Sequence, residues 1–277
     1  PEFVSGLFDG KTCGAPIAAL IYNEDVKSED YDDIKDSPRP SHADFTAQCK
    51  FRGYQDYRGG GHFSGRLTAA LCVAGGIAIQ MLERNGITVK AALETVYGNS
   101  SGIDELIAEA ISEGDSLGGN IVCSIEGIPC GVGEPMFDGL ENRISQAVFA
   151  IPAIKGIEFG DGFHLSELRG SEARDEYIMS DGKIAITGNH NGGILGGIST
   201  GETVNFRVCI KPTPSISMPS KSVSFSRGEN VELKISGRHD PCIAVRAVPC
   251  IEAAAAIAVL DLMIGDINFS GRFVFND

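Results

Sequence analysis

The 277-residue chain carries 37 acidic against 23 basic side chains, a formal net charge of −14, and is 43% hydrophobic. Those are the length and composition of an ordinary soluble globular protein with a substantial core, in one large domain or two small ones. The acidic balance excludes nucleic acid and anionic membranes as partners, since both repel it, but leaves small anionic substrates open, because these feel only the local field.

In chain order, Pro1-Glu2-Phe3-Val4 reads as the start of a strand already inside a domain, so a segment upstream is expected to be missing from this sequence. Ile17 to Tyr22 is a short apolar run that predicts a buried strand. Asn23 to Ser41, polar, acidic and proline-bearing, predicts a loop. Arg58-Gly59-Gly60-Gly61 leads into a helix expected from Arg66 to Leu82, with Asn85-Gly86 as its stop. A short amphipathic helix is predicted for Ile103 to Ile111 and a strand for Asn120 to Ile125. Phe137, Leu140, Ile144, Ala147, Val148 and Ile151 fall at helical spacing, which predicts a helix over Phe137 to Ala150 with one buried stripe, followed by a strand at Lys155 to Phe159.

After the glycine cluster Gly192 to Gly197, three alternating segments, Val204 to Ile210, Ser222 to Ser226 and Val231 to Ile235, read as consecutive antiparallel strands. A last helix is expected from Pro249, at a first-turn position, to Ile264. Its apolar stretch is interrupted by Glu252 and Asp261 and is too short to span a membrane comfortably; no signal peptide is evident. Strands in groups with helices between them predict an α+β fold. No composition break divides the chain, so residues 1–277 read as a single domain. None of the eight cysteines forms a C-x-x-C pair, and most lie in apolar runs, as expected of reduced, buried thiols in a cytosolic protein.

Four segments combine glycine with titratable groups. In Arg39-Pro40-Ser41-His42-Ala43-Asp44, a histidine in a polar loop is either a solvated surface group or a proton donor. In Arg58 to Arg66, three glycines, two arginines and a following helix start make an anion-friendly loop. It carries neither the Gly-Lys-Ser of a Walker loop nor a preceding strand for a dinucleotide fingerprint, and a plain turn remains open. In Asn189 to Gly197, followed by Lys211-Pro212-Thr213-Pro214-Ser215, the glycines suit close backbone packing or the flat face of a large ligand. In Gly237-Arg238-His239-Asp240-Pro241-Cys242, the charges read as a structural ion-pair cluster or as a binding and proton-transfer set. No zinc-ligand spacing and no serine-hydrolase elbow is present.

These segments carry a resemblance. R-P-S-H-A-D from Arg39, D-Y-R-G-G-G from Asp56, G-E-P-M-F-D from Gly133, I-P-A-I-K-G-I-E-F-G-D-G-F from Ile151, N-G-G-I-L-G-G-I-S-T-G from Asn191, K-P-T-P-S-I from Lys211 and G-R-H-D-P-C-x-x-x-R-A-V-P from Gly237 closely resemble, in order, the chorismate synthase family. The resemblance runs from Glu2 to about Asp261. It implies a β-α-β sandwich with helices packed between antiparallel sheets. It implies conversion of 5-enolpyruvylshikimate 3-phosphate to chorismate and phosphate by 1,4-anti elimination, with reduced FMN required although there is no net redox change. A cytoplasmic homotetramer, with NADP as an associated nucleotide, is implied as well.

Residue by residue, the resemblance places His42 as a proton donor near the flavin and Asp240 as the group linked to substrate proton abstraction. Flavin contacts fall on His62, Phe63, Ser64, Pro152, Ala153, Gly196, Lys211, Pro212, Thr213, Pro214, Ser215 and Arg238, and Arg58 faces the anionic substrate. Many members read R-G-G-G-R-S-S-A-R where this chain reads R-G-G-G-H-F-S-G-R, which lowers the local positive charge. Members usually carry a further front segment with a Gly-Glu-Ser-His-Gly stretch and a second catalytic histidine. The alternative reading is therefore a non-catalytic, truncated member that binds flavin without turnover.

Overall fold

The computed structural model describes residues 1–23, 35–235, 239–266 and Phe269. Its elements, in chain order, begin with four short strands, β1 (Glu2–Ser5), β2 (Leu7–Phe8), β3 (Lys11–Thr12) and β4 (Ala18–Leu20), and helix α1 (Asp44–Phe51). Two 3-10 turns (Arg58–Phe63 and Gly65–Leu67) lead into α2 (Thr68–Arg84), followed by β5 (Thr88–Val96), α3 (Ile103–Glu113), β6 (Gly119–Glu126), α4 (Leu140–Phe149) and β7 (Ile154–Phe159). Then come β8 (Tyr177–Ser180), β9 (Lys183–Ile186), β10 (Ile194–Leu195), β11 (Ile198–Ser199), β12 (Val204–Ile210), β13 (Ser220–Ser224), β14 (Glu229–Leu233) and α5 (Ala244–Gly265).

One antiparallel sheet of four strands, in the order β5-β6-β12-β7, organises the molecule, and the other strands pair as two-stranded ribbons. Its strands alternate as a sheet buried on one side must. Val204, Phe206, Val208 and Ile210 of β12 and Ile121, Cys123 and Ile125 of β6 face the core. On the other face Arg207 of β12 donates two hydrogen bonds to Glu94 of β5, at 2.6 and 2.7 Å, and one to Glu158 of β7 at 2.7 Å.

The apolar face is covered by α5, which also packs against α2 and α4. The α2–α5 crossing is close because Gly75 has no side chain: a Cβ there would lie 2.2 Å from Cβ of Ala253. The two charges that interrupt α5 are both used. Glu252 Oε1 accepts a hydrogen bond from Ala91 N–H of the edge strand β5 at 2.8 Å, and Asp261 pairs with Arg143 of α4.

The α+β class and the helices at Ile103 and after the glycine loop are as expected, but several local expectations are corrected. Ile17 to Tyr22 is exposed rather than buried; only Ala18–Leu20 is strand, paired with β1. The helix expected from Phe137 begins at Leu140, because Met136 sits at φ 66° and Gly139 is extended, and Phe137 is 83% exposed. β12 pairs with β6 and β7, while β13 and β14 form a ribbon of their own, so the three segments are not consecutive neighbours.

The last helix starts five residues before Pro249. The carbonyl that Pro249 leaves without a partner is that of Val245, whose residue is 47% exposed and open to water. So extended, α5 is long and apolar enough to cross a bilayer, as is Gly65–Arg84, yet here α5 is the core helix with eleven of its residues buried. Cys123, Cys242 and Cys250 are buried free thiols, but Cys13, Cys49, Cys130 and Cys209 are exposed; for Cys209 of β12 the reason is that apolar neighbours in sequence do not decide which face of a strand a side chain occupies.

Candidate active site

The loop before α1 is closed by a bidentate ion pair. Arg39 donates from Nε and Nη2 to the two carboxylate oxygens of Asp44, at 2.8 and 2.9 Å, and its backbone N–H reaches the same carboxylate at 2.9 Å. Both side chains are largely covered, 11% and 24% exposed. Ser41 takes a left-handed conformation, φ 60°, and His42 N–H closes on Arg39 C=O.

This geometry turns His42 inward. Its Nε2 lies 2.7 Å from Oγ of Ser215, a hydrogen bond whose direction follows the tautomer, and Lys211 Nζ donates to Ser41 C=O at 2.6 Å. Of the two readings left open for His42, a solvated surface group and a proton donor, this geometry does not fit the first. Burial above all, then the Arg39 charge, lowers the His42 pKa to about 4, with Lys211 and His239 adding to the effect and Asp44 opposing it. At neutral pH the imidazole is uncharged, with one N–H. Burial and the neighbouring Lys155 likewise lower the Lys211 pKa.

The segment Lys211–Ser215 leaves the end of β12 and is fixed along its length. Lys211 N–H donates to Ala153 C=O at 3.0 Å, and Ala153 itself is left-handed at φ 73°. Ser116 Oγ donates to Thr213 C=O at 2.6 Å. Nearby, Leu117 N–H donates to Pro241 C=O at 2.7 Å, tying down the segment that carries His239 and Asp240. Asp240 pairs with Arg246 of α5 at 3.1 Å and accepts from Cys242 N–H at 3.1 Å. Arg238 lies outside the described residues. Among the described residues, Oγ1 of Thr213 and Nε2 of His239 are buried without a hydrogen-bond partner.

The glycine loop is a self-closed 3-10 turn. Gly61, at φ 51°, sits where a Cβ would lie 2.4 Å from Asp56 C=O, and Ser64 N–H donates back to Gly61 C=O. Arg58 is exposed and bound bidentately to Asp56, which it holds at a pKa of about 2. His62 and Phe63 are exposed, and Ser64 Oγ accepts from Arg66 N–H at 3.2 Å to cap the next turn. In the second glycine cluster, Gly192, Gly193 and Gly197 are pressed against backbone of other segments, where a Cβ would collide. Gly196, φ 63°, faces open space. Beside them His190 Nδ1 lies 2.6 Å from Asp161, and Asp175 accepts from the backbone N–H groups of His190 and Asn191.

Thus Ser215 is joined directly to His42, and Lys211 to Ser41 and Ala153, while the segments of Thr213 and Asp240 are linked through the loop of Ser116 and Leu117. Pro152 is exposed next to Ala153. His62, Phe63, Ser64, Gly196 and Arg58 make no hydrogen bond to that group among the described residues. Sequence reasoning missed the roles of Arg39, Asp44, Ser116 and Arg246. Arg39, Asp44 and Arg246 stand inside segments already singled out, so the carboxylate five residues from Arg39 was a usable signal; Ser116 carried none.

The family model for chorismate synthase matches residues 1–264. The chorismate synthase of Korarchaeum cryptofilum is 44% identical over 94% of this chain and 79% of its own length. That of Chitinophaga pinensis is 47% identical over 95% of this chain and 78% of its own, and that of Thermococcus kodakarensis is 42% identical over 94% and 80%. A crystal structure of a chorismate synthase matches with a TM-score of 0.73, covering 95% of this chain and 77% of that one. At 24% identity, this likeness speaks to the fold.

Proposed function

The chain belongs to the chorismate synthase family, and we propose that it is the lyase that converts 5-enolpyruvylshikimate 3-phosphate to chorismate and phosphate by 1,4-anti elimination. The observation that carries this reading is the union of two distant motifs. Ser41 and His42 of the first and Lys211 and Ser215 of the sixth meet through two hydrogen bonds, Lys211 Nζ to Ser41 C=O and His42 Nε2 with Ser215 Oγ, although 170 and 173 positions separate the partners in sequence.

The residues suit a large planar ligand with polar edges. Thr213 Oγ1 and His239 Nε2 are buried polar atoms without a partner among the described residues, and such an atom costs free energy until a ligand satisfies it. Gly196 leaves an open face, and Lys211 brings a cation. Reduced FMN would be held by His62, Phe63, Ser64, Pro152, Ala153, Gly196, Lys211 to Ser215 and Arg238; when bound it supplies electron density to the substrate and recovers it without net oxidation.

His42 presents a neutral imidazole. A phosphorylated substrate brought beside it stabilises the imidazolium and lifts its pKa towards the range in which histidine donates protons. Asp240, held by Arg246 and by Cys242 N–H, would accept the substrate proton in this reading. Arg58 reaches a substrate phosphate by exchanging Asp56 for it, and an exposed ion pair is a weak restraint on such an exchange.

Residues 1–277 act as one domain in this reading, and the protein works as a cytoplasmic homotetramer, which light scattering would test. Phosphate release from 5-enolpyruvylshikimate 3-phosphate in the presence of chemically reduced FMN tests the activity. Tight flavin binding with no phosphate released would instead establish the non-catalytic alternative.

A further inference from the structure

The loop Gly114–Gly118, between α3 and β6, holds both halves of the candidate site. Ser116 is buried, and its hydroxyl donates to Thr213 C=O at 2.6 Å, two residues before the serine that meets His42. Ser217 N–H, just beyond that serine, donates to Gly114 C=O at 3.0 Å. One residue along the loop, Leu117 N–H donates to Pro241 C=O, the residue after Asp240. The glycines allow this approach: Gly114 is left-handed at φ 71°, and a Cβ on Gly118 would lie 2.7 Å from Ile210 C=O and 3.0 Å from Cδ of Pro212.

We propose that Ser116 is a positioning residue, whose hydrogen bond to Thr213 holds Ser215 against His42 and thereby sets the hydration and protonation of the imidazole. The role rests on the assignment of His42 to the active site. The alternative for a buried serine, plain satisfaction of a carbonyl in a turn, would affect stability alone. Here the bonded carbonyl belongs to Thr213, whose own hydroxyl is buried without a partner among the described residues, so the same bond also fixes where that hydroxyl stands. Among the described residues, the charged and titratable groups facing His42 are Arg39, Asp44, Lys211 and His239, and Lys211 belongs to the segment that Ser116 restrains. Loosening that segment lets water reach the imidazole, which favours its charged form.

The test compares Ser116→Ala and Ser116→Thr with wild type and His42→Ala, by NMR titration of 13C-labelled histidines in the flavin-free protein and by turnover with reduced FMN. The resonance absent from His42→Ala identifies His42. Ser116→Ala should move the His42 midpoint up by about half a unit or more towards the ordinary value of about 6.5. It should also lower kcat about tenfold with little change in KM, while Ser116→Thr, which keeps the hydroxyl, stays near wild type. An unmoved midpoint in a folded Ser116→Ala overturns the proposal, even if its melting temperature falls. If Ser116→Ala does not fold, Ser116→Cys replaces it, and a titration equal to that of Ser116→Thr overturns the proposal in the same way. Full turnover in His42→Ala would overturn the assignment of His42 instead, a separate outcome, because the titration is read without catalysis.

Discussion

At the scale of single residues, two histidines respond to pH in opposite senses. His42 is held at a pKa of about 4 against 6.5 in the unfolded chain, so between those values the unfolded state binds the proton more readily. Stability conferred by the neutral, buried ring is present above pH 6.5 and is lost as pH falls towards 4. His190, beside Asp161, has its pKa raised, so its contribution is full below 6.5 and is lost as pH rises through the folded value. Urea midpoints measured from pH 4.5 to 8.5 should show the acid-side decline flattened in His42→Gln and the alkaline-side decline flattened in His190→Gln; the reverse assignment would contradict the geometry. Catalysis separates a different pair. His42→Ala should lose about 10²–10⁴-fold in turnover at saturating reduced FMN, the usual contribution of a positioned acid or base. His62→Ala, exposed on the glycine loop, should act through cofactor affinity and recover as FMN is raised. Equal full activity in both would remove His42 from the mechanism.

At the scale of elements, the α2–α5 contact decides how the helices sit on the sheet, and two adjacent glycines give a controlled experiment. A methyl group at Gly75 would meet Ala253 Cβ at 2.2 Å, with backbone close behind, whereas one at Gly76 meets nothing within 4 Å. Alanine improves helix propensity by about 1 kcal/mol at either position, but overpacking costs about 1–3 kcal/mol. Gly76→Ala should therefore stabilise by up to about 1 kcal/mol, and Gly75→Ala should destabilise by up to about 2 kcal/mol, read as urea midpoints at constant slope. Equal effects would show that the helices can separate freely. This crossing also bears on function, since α5 carries Arg246, the partner of Asp240, in its first turn.

For the whole molecule, the sequence was most readable where one element states its own period. β6 and β12 alternate cleanly, and the stripe Leu140, Ile144, Val148 is helical and buried as its spacing predicts. β5 went unread because Thr88–Val96 mixes helix-forming Lys, Ala, Leu and Glu with its β-branched residues, and only pairing with β6 settles its state. The two-residue strands exist only through their partners. The site divides similarly: its loops were legible from glycine and charge, but the bond from His42 to Ser215 spans 173 positions, and Ser116 lies in a stretch that reads as an ordinary turn. A ligand that binds the folded state would unite these parts, and this leads to a prediction for the entire chain. Lys211 and Thr213 lie on the segment that follows β12 and His239 on the one that precedes α5, so a flavin satisfying them would stabilise the fold as one unit. At 100 times its dissociation constant, a ligand specific for the native state adds about 2.7 kcal/mol, and for a chain of this size about 2–4 °C accompanies each kcal/mol. Saturating FMN should therefore raise the melting temperature by roughly 5–10 °C. Lys211→Ala should shrink that increment more than it lowers the melting temperature without flavin. A comparable shift with FAD, or an undiminished FMN shift in Lys211→Ala, would show that this cluster is not where the flavin is held.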